Sequence, residues 1–306
     1  MDRLDAMSTL LAIVEAGSLS AAARQLNMPL TTVSRRLSDL EAHIGARLLS
    51  RSRRGLSPTD VGASYLAACR RILEDVEAAE RAAAGELTTP KGELLVTAPV
   101  VLGRSHLLPV INEFLGSFPE IDVRLMLADR VLSLSDDPID LALRIGTLPE
   151  SRLVALRVGV TARVVCGSPG YLARRGRPTE PADLSAHDCI SFTGPLTPDS
   201  WHFEVRGRRV VVPVRPRLSV NDAEAAIDAA LAGIGLTRVL GYQVVERVRA
   251  GQLVRVLPEA EPKAVPIQLV HAGGRPQPAK LRAFLDFAAP RLRRRLRTAA
   301  TPARRR

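Results

Sequence analysis

The stretch from Pro29 to Gly45 constrains the fold most. Its apolar residues Val33, Leu37, Leu40 and Ile44 recur at spacings of four and three, which predicts one buried stripe along a helix. Pro29 suits the first turn of that helix and Gly45 its stop. At about 100° per residue, the opposite side carries Thr31, Arg35, Ser38 and Ala42, flanked by Thr32 and Asp39, with Ser34 and Arg36 on its shoulders. Two shorter helices precede it. Leu4, Met7, Leu11 and Val14 mark the inward face of one ending near Gly17, and Ala21, Ala22, Ala23 and Leu26 fill a second, capped by Ser18 or Ser20 and broken at Asn27-Met28-Pro29. The run from Arg47 to Pro58 reads as two extended pieces around a basic turn that holds Arg51, Arg53 and Arg54. Three helices, a tight turn and this wing make a winged helix-turn-helix over residues 1–60. Short hydroxyls and an arginine suit a solvated face as well as a groove-reading one. The basic wing favours the groove, where arginine can pair bidentately with guanine.

From Thr59 to Ala84 the pattern is helical, and Tyr65, Cys69, Ile72, Val76, Ala79 and Ala83 alternate at spacings of four and three. A buried helix would show the same spacing. The other face, with Arg70, Arg71, Glu74, Asp75, Glu77 and Glu80, is too charged for full burial and favours a dimerising linker helix. Residues 61–91 therefore comprise this helix and the hinge Gly85 to Gly92. Strand and helix patterns alternate over residues 92–290, as in an α/β architecture of two small lobes joined by a pair of crossover strands. Strands are expected at Leu94 to Ala98, Val123 to Ala128, Asp140 to Ile145, Ala162 to Cys166, Ile234 to Val239 and Ile267 to His271. Helices are expected at Gly103 to Phe118, Pro169 to Arg175, Asp222 to Leu231, Tyr242 to Ala250 and Pro278 to Ala289.

Composition narrows the function classes. With 46% hydrophobic and 25% charged residues the chain is an ordinary globular one, not disordered or collagenous. No apolar run approaches the ~20 residues of a membrane span, and Met1-Asp2-Arg3-Leu4-Asp5 is no signal peptide, so a cytoplasmic location is expected. Cys69, Cys166 and Cys189 are too scattered for a disulfide framework or a zinc ribbon. The formal charge of +11 falls to +3 without the eight arginines of residues 291–306, which read as a solvated basic tail. Enzyme motifs are weak. Gly103-Arg104-Ser105-His106-Leu107 lacks the closing glycine of a nucleophile elbow, and Gly233-Ile234-Gly235 follows a helix instead of a strand, the wrong order for a dinucleotide loop. His43, His106, His187, His202 and His271 show no ligand spacing, so neither metal nor cofactor is expected.

Binding signals are better placed. Pro99, Val100, Val101, Leu102 and Gly103 join a strand to a helix, where backbone N–H groups face outward at a positive helix end. Ser168, Asn221 and Asp222 precede further helices, and Phe192 and Thr193 end a strand. Plain capping explains these positions as well as ligand contact does.

Ala12-(x)4-Gly17-Ser18-Leu19-Ser20-Ala21-Ala22-Ala23-(x)2-Leu26, Val33-Ser34-Arg35-Arg36-Leu37-(x)2-Leu40-Glu41, Ile44-Gly45-Ala46-Arg47-Leu48-Leu49-(x)-Arg51 and Leu56-Ser57-Pro58-Thr59-(x)2-Gly62 together resemble the N-terminus of LysR-type transcriptional regulators. Phe114-(x)3-Phe118-Pro119-Glu120, Asp140-Leu141-Ala142-Leu143-Arg144-Ile145-Gly146, Ser168-Pro169-(x)-Tyr171-Leu172 and Ala230-Leu231-Ala232-Gly233-Ile234-Gly235 are similar to the family's effector domain. The resemblance implies a periplasmic-binding-protein-like fold whose loops, with Arg144, converge on a small-molecule effector. It implies double-stranded operator DNA as the partner, homodimers that associate into tetramers, and RNA polymerase as a further partner. Val101 stands where the family offers a hydroxyl, so a less anionic, more apolar effector is expected. An enzyme that uses the cleft, with the N-terminal unit as its regulatory appendage, is the competing class.

Overall fold

The computed structural model describes residues 2–52, 55–83, 90–129, 139–148, 153–192, 200–273 and 277–300. Its N-terminal unit is built from α1 (Arg3–Ala16), α2 (Leu19–Gln25), α3 (Leu30–Ile44), the antiparallel wing β1 (Leu49–Ser52) and β2 (Gly55–Pro58), and the start of α4 (Asp60–Ala83). Asp2 caps α1 by accepting from the N–H of Leu4, and Ser18 caps α2 by accepting from Ala21. The fully buried face of α1 is Ala6, Thr9, Leu10, Ala12 and Ile13; the expected Met7, Leu11 and Val14 pack against the same core as its half-buried flank, and of the four expected residues only Leu4 is exposed.

Glu41 ties the third helix to the wing, since its carboxylate accepts from the N–H groups of Leu48 and Leu49 at 2.7 and 3.2 Å. Thr59 caps α4 by accepting from the Gly62 N–H at 2.9 Å. Gly62 is required there, because a Cβ would overlap the carbonyl oxygen of Leu48.

The remaining chain forms two lobes. β3 (Gly92–Ala98), α5 (Val100–Leu102), a π-helical turn at Gly103–Leu107, α6 (Leu108–Ser117), β4 (Ile121–Leu127), β5 (Leu141–Ile145) and β6 (Leu153–Thr161) begin the first. Ala162 then leads into the second: β7 (Arg163–Gly167), α7 (Pro169–Arg175), β8 (Cys189–Phe192), the hairpin β9 (Ser200–Val205) and β10 (Arg208–Pro213), β11 (Pro216–Val220), α8 (Ala223–Leu231), β12 (Leu236–Leu240), α9 (Gly241–Arg249) and β13 (Val254–Val256). The chain returns through β14 (Val265–Ala272) and closes with α10 (Ala279–Ala300). The first sheet has the order β4-β3-β5-β14-β6 and the second β11-β8-β12-β7-β13. Each mixes parallel and antiparallel pairs, because the two chain crossings insert β14 and β7 against the parallel run. In the second lobe Val164 and Val165 pack into separate clusters on the two sheet faces, as the strand period of two requires.

All six expected strands are present, β8 ends at Phe192 where a strand end was expected, and β6, β11, β13 and the β9–β10 hairpin add to them. The hairpin turns through Arg206 and Gly207, both at positive φ, a pair that matches strand twist. In β9 the apolar Trp201, Phe203 and Val205 alternate strictly with Ser200, His202 and Glu204, so a period-two signal for this strand was present in the sequence.

The C-terminal boundary also differs. Pro290 suggested a helix end at Ala289 and a solvated tail beyond it, yet α10 runs on to Ala300 with Pro290 inside it. Leu292 and Leu296 are fully buried against the first sheet, and Leu296 lies on Gly159 of β6. Arg291 stacks on the Phe287 ring at 3.5 Å and binds Glu113 at 3.0 Å. Residues 291–297 are therefore part of the first lobe's core, because burying two leucines outweighs the one hydrogen bond that proline removes.

Candidate functional site

The third helix presents Thr31, Ser34, Arg35 and Ser38 as exposed side chains, with Thr32 half-buried and Val33 and Leu40 turned inward. Arg36 is not among the exposed ones. Its guanidinium binds Asp5 at 2.9 Å and also reaches Thr9 and Met28, so it fastens the third helix to the first and is withdrawn from the groove-facing set. Arg51 lies on β1, while Arg53 and Arg54 lie outside the described residues.

The linker helix divides its apolar residues between two faces. Cys69 is fully buried with Leu66 in the core of the N-terminal unit, against α1, which removes it from the dimerising seam. Burial also pushes its thiol above the ordinary range. Tyr65 packs against the same core beside Cys69, and the outward stripe follows Val61, Ala68, Ile72 and Val76, of which Val61 and Ile72 are 54% and 40% exposed. Ala79 and Ala83 fall on the same helix.

Between the lobes lies a cleft of about 960 Å³. Pro99, Arg144 and Phe192 line it as expected. Val101, Leu102 and Gly103 do not: all three are buried in the first lobe's core, with Val101 bordering a second pocket beside Tyr242 and Gln243, and the Val100 N–H is donated to Asp129 at 3.1 Å. Ser168 and Asp222 spend their oxygens capping α7 and α8, and neither they nor Asn221 reach the cleft wall. Thr193 lies outside the described residues.

The wall is completed by residues that sequence reasoning missed: Arg163 at the start of β7, Trp201 and His202 on the hairpin, Arg238 in β12, Tyr242 and Gln243 at the start of α9, and Lys263 on the return crossing. Arg238 donates to the His202 carbonyl at 2.6 Å. Burial, and then the neighbouring Arg163, lower its ionisation to about 10. Burial lowers Arg163 as well and, with Arg209, Arg238 and Arg163 adding to it, depresses His202. Tyr242 is raised by burial. One signal was available, because an arginine inside the apolar run Leu236-Thr237-Arg238-Val239-Leu240 is unusual for a central strand.

Among the described residues no group of His, Cys, Asp and Glu could hold a metal ion, and no single helix is long and apolar enough to cross a membrane. A helix-turn-helix joined to a two-lobed domain with a central cleft defines a DNA-binding regulator that responds to a small molecule.

Family models agree with this architecture. Residues 4–63 match the bacterial regulatory helix-turn-helix protein model of the lysR family, and residues 88–293 match the LysR substrate binding domain. An HTH-type transcriptional repressor of Pseudomonas aeruginosa (strain UCBPP-PA14) is 35% identical over 94% of this chain and 91% of its own. An HTH-type transcriptional regulator of Xanthomonas campestris pv. campestris (strain 8004) is 37% identical over 92% and 83%. The structure of CrgA, a LysR-type transcriptional regulator from Neisseria meningitidis, superposes with a TM-score of 0.61 at 30% identity, covering 94% of this chain and 98% of that one. The chain belongs to the LysR family of transcriptional regulators, which bind DNA and small-molecule effectors.

Proposed function

We propose that Thr31, Ser34, Arg35 and Ser38 enter the major groove of operator DNA and that the wing, through Arg51, Arg53 and Arg54, holds the phosphate backbone. The observation that carries this reading is the exposure of Arg35 on the helix face opposite the buried Val33 and Leu40. Two chains pair along the outward stripe of α4, so the operator is pseudo-palindromic, with half-sites about one helical turn or a multiple apart. Pairs of dimers form tetramers, and the assembly acts in the cytoplasm, where RNA polymerase is its target. A ligand between the lobes shifts transcription by favouring one arrangement of the assembly over another.

The protein is read as non-catalytic. Burial pushes the Cys166 and Cys189 thiols up to about 12, so neither serves as a nucleophile. The operator is tested by titration with Arg35→Ala. The substitution is expected to cost about 1–3 kcal/mol and to relax preference at one base position. Unchanged affinity and unchanged selectivity would remove Arg35 from the reading surface.

A further inference from the structure

Arg163 and Arg238 come from antiparallel neighbours whose register pairs Leu240 with Arg163 and Arg238 with Val165. Arg238 and Leu240 are two residues apart, so Arg238 leaves the same sheet face as Arg163, on the diagonal. Like charges placed this way repel.

The described wall carries more cations than anions. Among the described residues no carboxylate forms an ion pair with Arg163 or Arg238. Of the described residues Asp129 is the one acid of the wall, against Arg144, Arg163, Arg238 and Lys263, and one of its oxygens accepts from the Val100 N–H. Lys263 has Glu204 at 3.8 Å. Arg238 uses one N–H on the His202 carbonyl, and its buried Nε has no acceptor. Arg163 is exposed at the cleft mouth and Arg238 is half-buried, so solvent screens part of their repulsion, and their planar donors fit an oxyanion bidentately.

We infer that the cleft takes an organic oxyanion, a carboxylate or a phosphate ester, whose charged group sits between Arg163 and Arg238 and whose body lies against Phe192, Trp201 and Leu143. This rests on the reading of the cleft as the effector site. It reverses the expectation of a less anionic ligand drawn from Val101, which is not on this cleft's wall.

The test uses the full-length protein, thermal unfolding and calorimetric titration. Orthophosphate, succinate and benzoate are compared with benzamide, a neutral counterpart of benzoate, and with sodium chloride at equal ionic strength. At least one of the three anions should raise the unfolding midpoint saturably, while benzamide and chloride should not. Phosphate alone acting would assign a phosphate ester, and succinate or benzoate alone a carboxylate. Arg163→Gln and Arg238→Gln should each weaken that binding tenfold or more, whereas Arg124→Gln, on the outer edge strand, should leave it unchanged. Without any anion, Arg163→Gln should unfold at or above the wild-type temperature, because the repulsion is relieved. Anions that act only as chloride does, binding that survives both substitutions, or an Arg163→Gln protein less stable than wild type would overturn the inference. Operator affinity measured with bound anion separates the two levels. Binding that depends on the arginines without any change in operator affinity supports the ligand class and refutes the effector reading. A neutral compound that changes operator affinity and ignores both substitutions supports the effector reading and refutes the ligand class.

Discussion

Arg35 and Arg36 are adjacent in the chain and have opposite fates. One points away from the core, while the other crosses back to Asp5 on the first helix and is a quarter exposed. Their different angles around α3 explain this, and Asp5 and Thr9, one turn apart on α1, supply the acceptors. Arg36→Ala should therefore lower the stability of the N-terminal unit by about 1 kcal/mol, a small value because Asp5 is largely solvated. Selectivity among operator variants should persist at a temperature where the variant is folded, as read by thermal melts beside a titration. A change of base preference with no change in melting would return Arg36 to the groove. The charge of Arg36 was legible in the sequence, but its partner was not, because only helix packing brings Asp5 within reach.

Helices α4 and α10 show how one element can serve two neighbours. In α4 the face with Tyr65, Leu66 and Cys69 belongs to the unit's own core, and the face with Val61, Ala68, Ile72 and Val76 turns outward. Heptad spacing alone could not divide them, since a spacing of three or four reaches either Ala68 or Cys69 from the same starting residue. Ile72→Glu places an unpaired charge on the outward stripe and is expected to shift sedimentation toward monomer with little loss of fold. An unchanged dimer mass would exclude this stripe as the interface. In α10, truncation after Pro290 removes Leu292 and Leu296 from the first lobe. Each buried leucine is worth about 2–5 kcal/mol, and a domain holds only about 5–15 kcal/mol in all. The truncated protein should lose cooperative unfolding of its effector domain in calorimetry. Retention of the full transition would mean that these leucines are dispensable.

At the scale of the whole molecule, His106, His187 and His202 all have ionisation depressed below the ordinary 6.5, with burial the first cause in each. His106 packs edge-on against Tyr242, and His187 meets the Tyr171 hydroxyl at 3.1 Å. The unfolded chain binds protons at these groups more readily than the folded one, so the stability they affect is full above about pH 6.5 and falls as pH drops below it. Thermal midpoints measured from pH 8 to 5 should decline at the acid end, and His202→Gln should flatten part of that decline. A midpoint independent of pH through this range would refute the sign. The sequence by itself determined the helix-turn-helix, the linker helix and the alternation of strands and helices, because each is a local periodicity that one segment carries alone. It also pointed to Pro99, Arg144 and Phe192 at the cleft. Only the tertiary structure decided that Cys69 and Arg36 face their own core and that Leu292 and Leu296 complete a lobe. It also decided that Arg163 meets Arg238 in the cleft, because β12 is inserted between β7 and β8 and strand pairing joins residues that are distant in the chain.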